Sequence, residues 1–187
     1  VDLKIAPTEF CGKVFSMLGP QYFCFRTTGK KWRVVEFFDE PIDVDVASKK
    51  AKELEARMEK VVVIGGSGFL GSHTADELSR RGYDVTIFDS SQSFWLQENQ
   101  RMVIGDILDR DALCSVLEGA SVAYHFAGIS DINEAAQKPF ETVNMNVLGT
   151  ANVLEALSTA KVKRFMYAST LYVYSSYGSL YRASKQA

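Results

Sequence analysis

Residues Val61–His73 read VVVIGGSGFLGSH. Four consecutive β-branched residues make a short strand apolar on both faces, as expected for a parallel strand buried between layers. The strand runs into glycines at 65, 68 and 71, and a helical pattern follows from Phe69 to Arg81, with Gly82 as a left-handed stop. A glycine turn between strand and helix serves three needs: a tight bend, close approach of backbone to a pyrophosphate, and close packing of helix on strand. The free N–H groups of the helix N-terminus then face an anion. A glycine triplet alone also serves as a plain turn, so the surrounding residues decide. DVTIFD (Asp84–Asp89) is a second strand, and Asp89 falls 24 residues after Gly65. A carboxylate there accepts hydrogen bonds from both ribose hydroxyls and repels a 2′-phosphate. No arginine follows in Ser90, Ser91 or Gln92. The pattern points to NAD rather than NADP.

The alternation continues outward. RMVIGD (Arg101–Asp106) is a third strand, followed by a helix from about Asp109 to Leu117 that stops at Gly119. VAYHFAG (Val122–Gly128) is a fourth strand, Pro139 to Ala160 a long helix, and RFMYAST (Arg164–Thr170) a fifth strand. Strands alternating with helices imply right-handed crossovers. The fold class is α/β: a Rossmann-type doubly wound parallel sheet, incomplete at the C-terminus, with an appended N-terminal segment.

From about Lys60 to the last residue the chain resembles the extended short-chain dehydrogenase/reductase family, the NAD-dependent epimerases and dehydratases of nucleotide sugars. The resemblance rests on GGSGFLGSH (Gly65–His73), Asp89, GDILD (Gly105–Asp109), HFAG (His125–Gly128), NVLGT (Asn146–Thr150), RFMYAST and YRASK (Tyr181–Lys185). It implies a cofactor-binding set of Gly65, Gly68, Phe69, Leu70, Gly71, Asp89, Asp106, Ile107, Ala127, Gly128 and Lys185. Asp106 and Ile107 are expected at the adenine, with Ala127 and Gly128 beneath the pyrophosphate and nicotinamide ribose. Asp106 equally reads as a helix cap, in competition with Asp109. His125 reads as a core histidine, and Asn146 as a brace.

Tyr181 and Lys185 stand four residues apart, on one face if the segment is helical. A tyrosine, with pKa about 10, is a poor base at neutral pH unless a nearby ammonium stabilises its phenolate. Among the eight tyrosines only Tyr181 has a lysine four residues on, and it follows the fifth strand, at the carboxyl edge where open α/β sheets bind ligands. The resemblance adds Thr170 as the third catalytic residue, with Ser169 beside it as competitor. No metal is expected.

The resemblance also implies a nucleotide-sugar substrate and, in the full-length protein, a homodimer through a helix pair, the Pro139–Ala160 helix and the helix carrying Tyr181 and Lys185. Two features depart from the family. Only ten residues separate Thr170 from Tyr181, and the chain ends two residues beyond Lys185, without the family's C-terminal substrate domain. Three readings stay open: an epimerase or dehydratase that recycles bound NAD, a simple NAD-dependent reductase, and a non-catalytic NAD-binding module.

Two domains are expected: an appended segment with a linker helix over residues 1–59, and an NAD-binding domain over 60–187. Three of the four prolines fall in the first. Within it Lys31–Phe38 reads as a strand, Ile42–Val46 alternates at period two, and Ser48–Lys60 reads as an amphipathic helix. The run FDEPIDVD faintly resembles the closing segment of sugar nucleotidyltransferases. A net charge of −2 gives no basic field for nucleic acid, and no apolar run nears the roughly 20 residues needed to span a bilayer. Cys11, Cys24 and Cys114 are widely spaced and read as reduced thiols of a cytoplasmic protein.

Overall fold

The computed structural model describes the backbone of residues 9–16, 19–28 and 31–38, and all of residues 59–187. The chain divides into two compact units, Val1–Met58 and Glu59–Ala187.

In the first unit β1 (Glu9–Ser16), β2 (Gly19–Thr28) and β3 (Lys31–Phe38) form an antiparallel sheet in that order. Its register shifts between Cys24 and Phe25. The strand read at Lys31–Phe38 is β3. The reading at Ile42–Val46 and residues 48–58 of the helix read over Ser48–Lys60 lie outside the described residues; that helix does not reach its predicted end, since Glu59 is not helical and Lys60 opens a strand.

The second unit is built on β4 (Lys60–Ile64), β5 (Asp84–Asp89), β6 (Gln100–Ile104), β7 (Val122–His125) and β8 (Arg164–Tyr167). All pair in parallel, in the order β6-β5-β4-β7-β8. This is the α/β Rossmann-type doubly wound order, with the first strand central and the sequence running outward both ways. β4 shows why. Val61 and Val63 enter a core with Ala75, Leu78, Val85 and Ile87, while Val62 and Ile64 enter a second core with Phe88, Leu113, Leu117 and Val153. Each of these β4 side chains is at most 1% exposed. Full burial of such a side chain contributes about 1.5–3 kcal/mol relative to exposure.

Helix α1 (Phe69–Arg80) packs on one face; α2 (Arg110–Leu117) and α5 (Gly149–Thr159) pack on the other. Gly82 ends α1 at φ 86°, its N–H donating to Ser79 O, as the sequence predicts; Gly119 follows α2 at φ 71°. Asp109 is the cap of α2, accepting from Ala112 N at 3.0 Å.

Several bounds differ from the sequence reading. β6 runs from Gln100 to Ile104, and Gly105 closes its end by donating to Asp89 O. β7 and β8 stop at His125 and Tyr167, so Phe126–Gly128 and Ala168–Thr170 form the loops above the sheet. The apolar runs continue past the last ladder pair into half-buried and exposed loop residues, so their length overstates the strands. The long helix from Pro139 is α4 (Pro139–Val143), a π-helical turn (Asn144–Leu148) and α5. A separate short helix, α3 (Ile132–Gln137), precedes it, capped by Asp131. A 3₁₀ turn (Leu171–Tyr174) and α6 (Ser179–Gln186) close the chain.

Candidate functional site

At the carboxyl edge of the sheet the turn after β4, the loops after β5, β6, β7 and β8, and helix α6 enclose a cleft of about 530 Å³. Gly65 and Gly71 are required by the chain's own packing. Gly65 has φ +80°, and a Cβ there would lie 2.3 Å from Ala127 N; a Cβ on Gly71 would lie 2.2 Å from Gly65 O. Gly68 differs. Its nearest atom to a built Cβ is Gly65 O at 3.7 Å, and its φ of −75° is open to any residue. Nothing among the described residues demands glycine at 68, whereas a ligand pressed against that backbone would.

Gly68 also caps α1, a 12-residue helix with no side-chain cap and no acidic residue in its first turn. Its first residues, Phe69, Leu70 and Gly71, line the cleft, and the free N–H groups of a helix N-terminus are what hold a pyrophosphate. Asp89 sits across from it. One carboxylate oxygen accepts from Ser67 N at 2.9 Å and the other from Ser91 N at 3.1 Å. Each oxygen is thereby aimed and keeps a lone pair for a ribose hydroxyl. Ser67 Oγ donates to Ser91 O at 2.7 Å and ties the two loops together. An uncapped helix end, an open glycine and an aimed carboxylate fit a dinucleotide without a 2′-phosphate, which Gly65, Gly68, Gly71 and Asp89 would hold.

The residues read from the sequence as cofactor-binding divide. Gly65, Gly68, Phe69, Leu70, Gly71, Asp89, Ile107, Ala127, Gly128 and Lys185 line the cleft. Asp106 is exposed and lies outside that lining; its Oδ1 accepts from Leu108 N at 2.9 Å, closing the turn that leads into α2. Gly105, on its other side, is in the wall. Ser67, Ser91, Ser130 and Ala168 also line the cleft, and the sequence reading missed them. Ser67 lies inside the glycine motif, and its placement opposite Asp89 could have been inferred from the loop lengths.

Tyr181 and Lys185 both project from α6 into the cleft, Tyr181 being 8% exposed. Lys185 Nζ donates to Ala168 O at 3.2 Å. Tyr172 meets Tyr181 edge to face at 6.3 Å. Of the two hydroxyl candidates after β8, Ser169 lines the cleft. Thr170 stands beside it and caps the 3₁₀ turn, accepting from Tyr172 N at 3.4 Å.

Asn146 is 2% exposed and braces the site. Its Oδ1 accepts from Ile129 N at 2.8 Å, and its Nδ2 donates to Ile129 O and to Ser184 Oγ, each at 2.9 Å. It therefore ties the loop after β7 to the helix carrying Tyr181 and Lys185, from the point where the long helix widens. Thr150 Oγ1 donates back to Asn146 O at 2.7 Å and contacts His125 Nε2 at 3.1 Å. His125 is fully buried, and among the described residues its Nδ1 has no hydrogen-bond partner. Burial, with the Lys185 charge adding, pushes its pKa down to about 4, so the imidazole is neutral at physiological pH. His73 is exposed on α1 against the Phe69 ring, with centroids 4.5 Å apart.

Among the described residues no group of three or more His, Cys, Asp and Glu could hold a metal ion, and no helix is long and apolar enough to cross a membrane. Cys114 is a half-buried free thiol.

The sequence profile of the NAD dependent epimerase/dehydratase family matches residues 61–186, about two thirds of the chain. A UDP-glucose 4-epimerase of Klebsiella pneumoniae is 35% identical over 127 residues, covering 62% of this chain and 91% of the relative. The solved UDP-glucose 4-epimerase of Brucella ovis in complex with NAD superposes with a TM-score of 0.64 at 27% identity, covering 68% of this chain and 45% of that one. MoeE5 in complex with UDP-glucose and NAD gives 0.63 at 28% identity, covering 68% and 46%. The chain thus spans under half the length of these solved structures.

Proposed function

The chain belongs to the NAD-dependent epimerase/dehydratase family, and we propose that residues 60–187 are the NAD-binding, catalytic domain of an enzyme that epimerises or dehydrates a nucleotide-linked sugar. NAD is the family's cofactor, and residues 1–59 are an appended segment. The observation that carries the reading is one shared cleft: Tyr181 and Lys185 line the same cavity as Asp89 and the glycine turn.

Bound NAD supplies a hydride acceptor at its nicotinamide ring. Tyr181 takes the proton from a sugar hydroxyl and later returns one. Lys185, one helical turn along, stabilises the phenolate through its charge and holds the cofactor's ribose. Thr170 donates to the substrate oxygen and fixes its direction, with Ser169 at the wall beside it. Neutral His125 adds no second positive charge beneath this group. The UDP-glucose named for the solved relatives makes a UDP-hexose the first substrate to try. In the whole protein we place a dimer contact on the helix from Pro139 to Thr159, where Phe140, Val143, Leu148 and Leu154 are exposed.

The test is to add UDP-glucose to the NAD-loaded protein, following the reduced-nicotinamide absorbance and the configuration of the recovered sugar. The expected result is an absorbance change without net NADH release, lost in Tyr181→Phe at unchanged NAD content. Stoichiometric release of NADH would identify a simple dehydrogenase. No change with any nucleotide sugar, at full NAD occupancy, would contradict the catalytic reading.

A further inference from the structure

We propose that Tyr167 is a positioning residue for Lys185: its ring face holds the lysine ammonium at the wall of the cleft before any ligand arrives. The inference rests on the role given above to Lys185. β8 ends at Tyr167, and the next two residues, Ala168 and Ser169, line the cleft. Lys185 Nζ stands 4.4 Å from the centroid of the Tyr167 ring and donates to Ala168 O at 3.2 Å. One strand end thus supplies both contacts. A lysine has a flexible four-carbon stem, and a single carbonyl leaves its head free to swing. An aromatic face within about 6 Å attracts a cation through its quadrupole and removes that freedom.

The ring is itself held. His125 packs on it at 5.5 Å with planes 36° apart, and Phe165 at 6.3 Å and 22°. Burial keeps His125 neutral, and the hydrogen bonds choose its tautomer. Thr150 Oγ1 gives its proton to Asn146 O, so it accepts from His125 Nε2–H. The imidazole therefore carries its one proton on Nε2, away from the partnerless Nδ1. A neutral ring leaves Tyr167 to a single cation.

The experiment uses the full chain carrying ¹³C-labelled lysine, with the Lys185 Cε–Hε signal assigned by its loss in Lys185→Met. In the wild type this signal lies upfield of the other lysines through the ring current. It stays there in Tyr167→Phe and returns to the common position in Tyr167→Leu. NAD titration of the same proteins gives Tyr167→Phe within about twofold of wild type and Tyr167→Leu about fivefold weaker. Adding Tyr167→Leu to Lys185→Met costs nothing further. A wild-type signal at the common position overturns the proposal. So does a Tyr167→Leu loss that is equal in the Lys185→Met background, which would mean plain packing. If Lys185→Met binds NAD like wild type while the upfield signal still collapses in Tyr167→Leu, the hold of Tyr167 stands and the role of Lys185 falls.

Discussion

The two walls of the cleft are built differently. The wall from Gly65 to Asp89 rises from β4 and β5, adjoining strands in the middle of the sheet, and backbone groups hold it. Gly65 N donates to Phe88 O at 2.8 Å, and Ser67 N and Ser91 N aim the Asp89 carboxylate. The wall from Ala168 to Lys185 stands on β8, the outer strand beside β7 in the five-stranded sheet and half-buried, and side chains hold it. Asn146 reaches Ser184, Lys185 reaches Ala168 O, and Arg182 donates to Ser175 O at 2.7 Å. The backbone-built wall is fixed by local sequence and resists change until its geometry is broken. The side-chain-built wall depends on contacts between residues far apart in the chain, each removable by one substitution.

Breaking the first wall gives the largest effect. Gly65→Ala sets a Cβ 2.3 Å from Ala127 N at a φ of +80°. The loss should be about 4 kcal/mol or more, read as failure to give a cooperative melt. The seam beneath the second wall responds to pH. His125 has its pKa lowered to about 4 from an ordinary 6.5, so the unfolded chain binds the extra proton first. Its neutral burial is therefore fully tolerated above about pH 6.5, and stability falls as pH drops toward 4, by up to about 3 kcal/mol. Urea titrations across that window should show the slope in wild type and a shallower one in His125→Phe. Asn146→Ala is smaller. It strips the buried acceptor from Ile129 N and the donor from Ser184 Oγ, for about 2 kcal/mol, with amide exchange rising in α6 more than in α1.

The same contrast explains what the sequence revealed. The strand, glycines and Asp89 are legible because strand–turn–helix geometry converts spacing directly into place. Gly82 and Gly119 fall at positive φ where the helix stops predicted them. The pairing of Tyr181 with Lys185 follows from helical spacing. The brace from Asn146 to Ile129 and Ser184, and the contact of Tyr167 with Lys185, join residues 17, 38 and 18 positions apart, and no local pattern announces them. Thr170 came from family resemblance rather than from spacing, and its cap on Tyr172 N was not foreseen. β1 and β2 escaped for another reason. Gly12, Gly19 and Pro20 interrupt any regular alternation there, yet Pro20 sits in β2 opposite Phe15, near the strand's start, where a strand tolerates it.

Whether the backbone-built wall receives a dinucleotide, as proposed, turns on Gly68. The chain itself has room for a methyl group there, with 3.7 Å to Gly65 O, in a backbone conformation open to alanine. The decisive measurement is NAD titration calorimetry on Gly68→Ala beside its thermal melt. The expected result is a melt like wild type, within about 0.5 kcal/mol, and NAD affinity lower by about tenfold or more. A variant that binds NAD as tightly as wild type would contradict it.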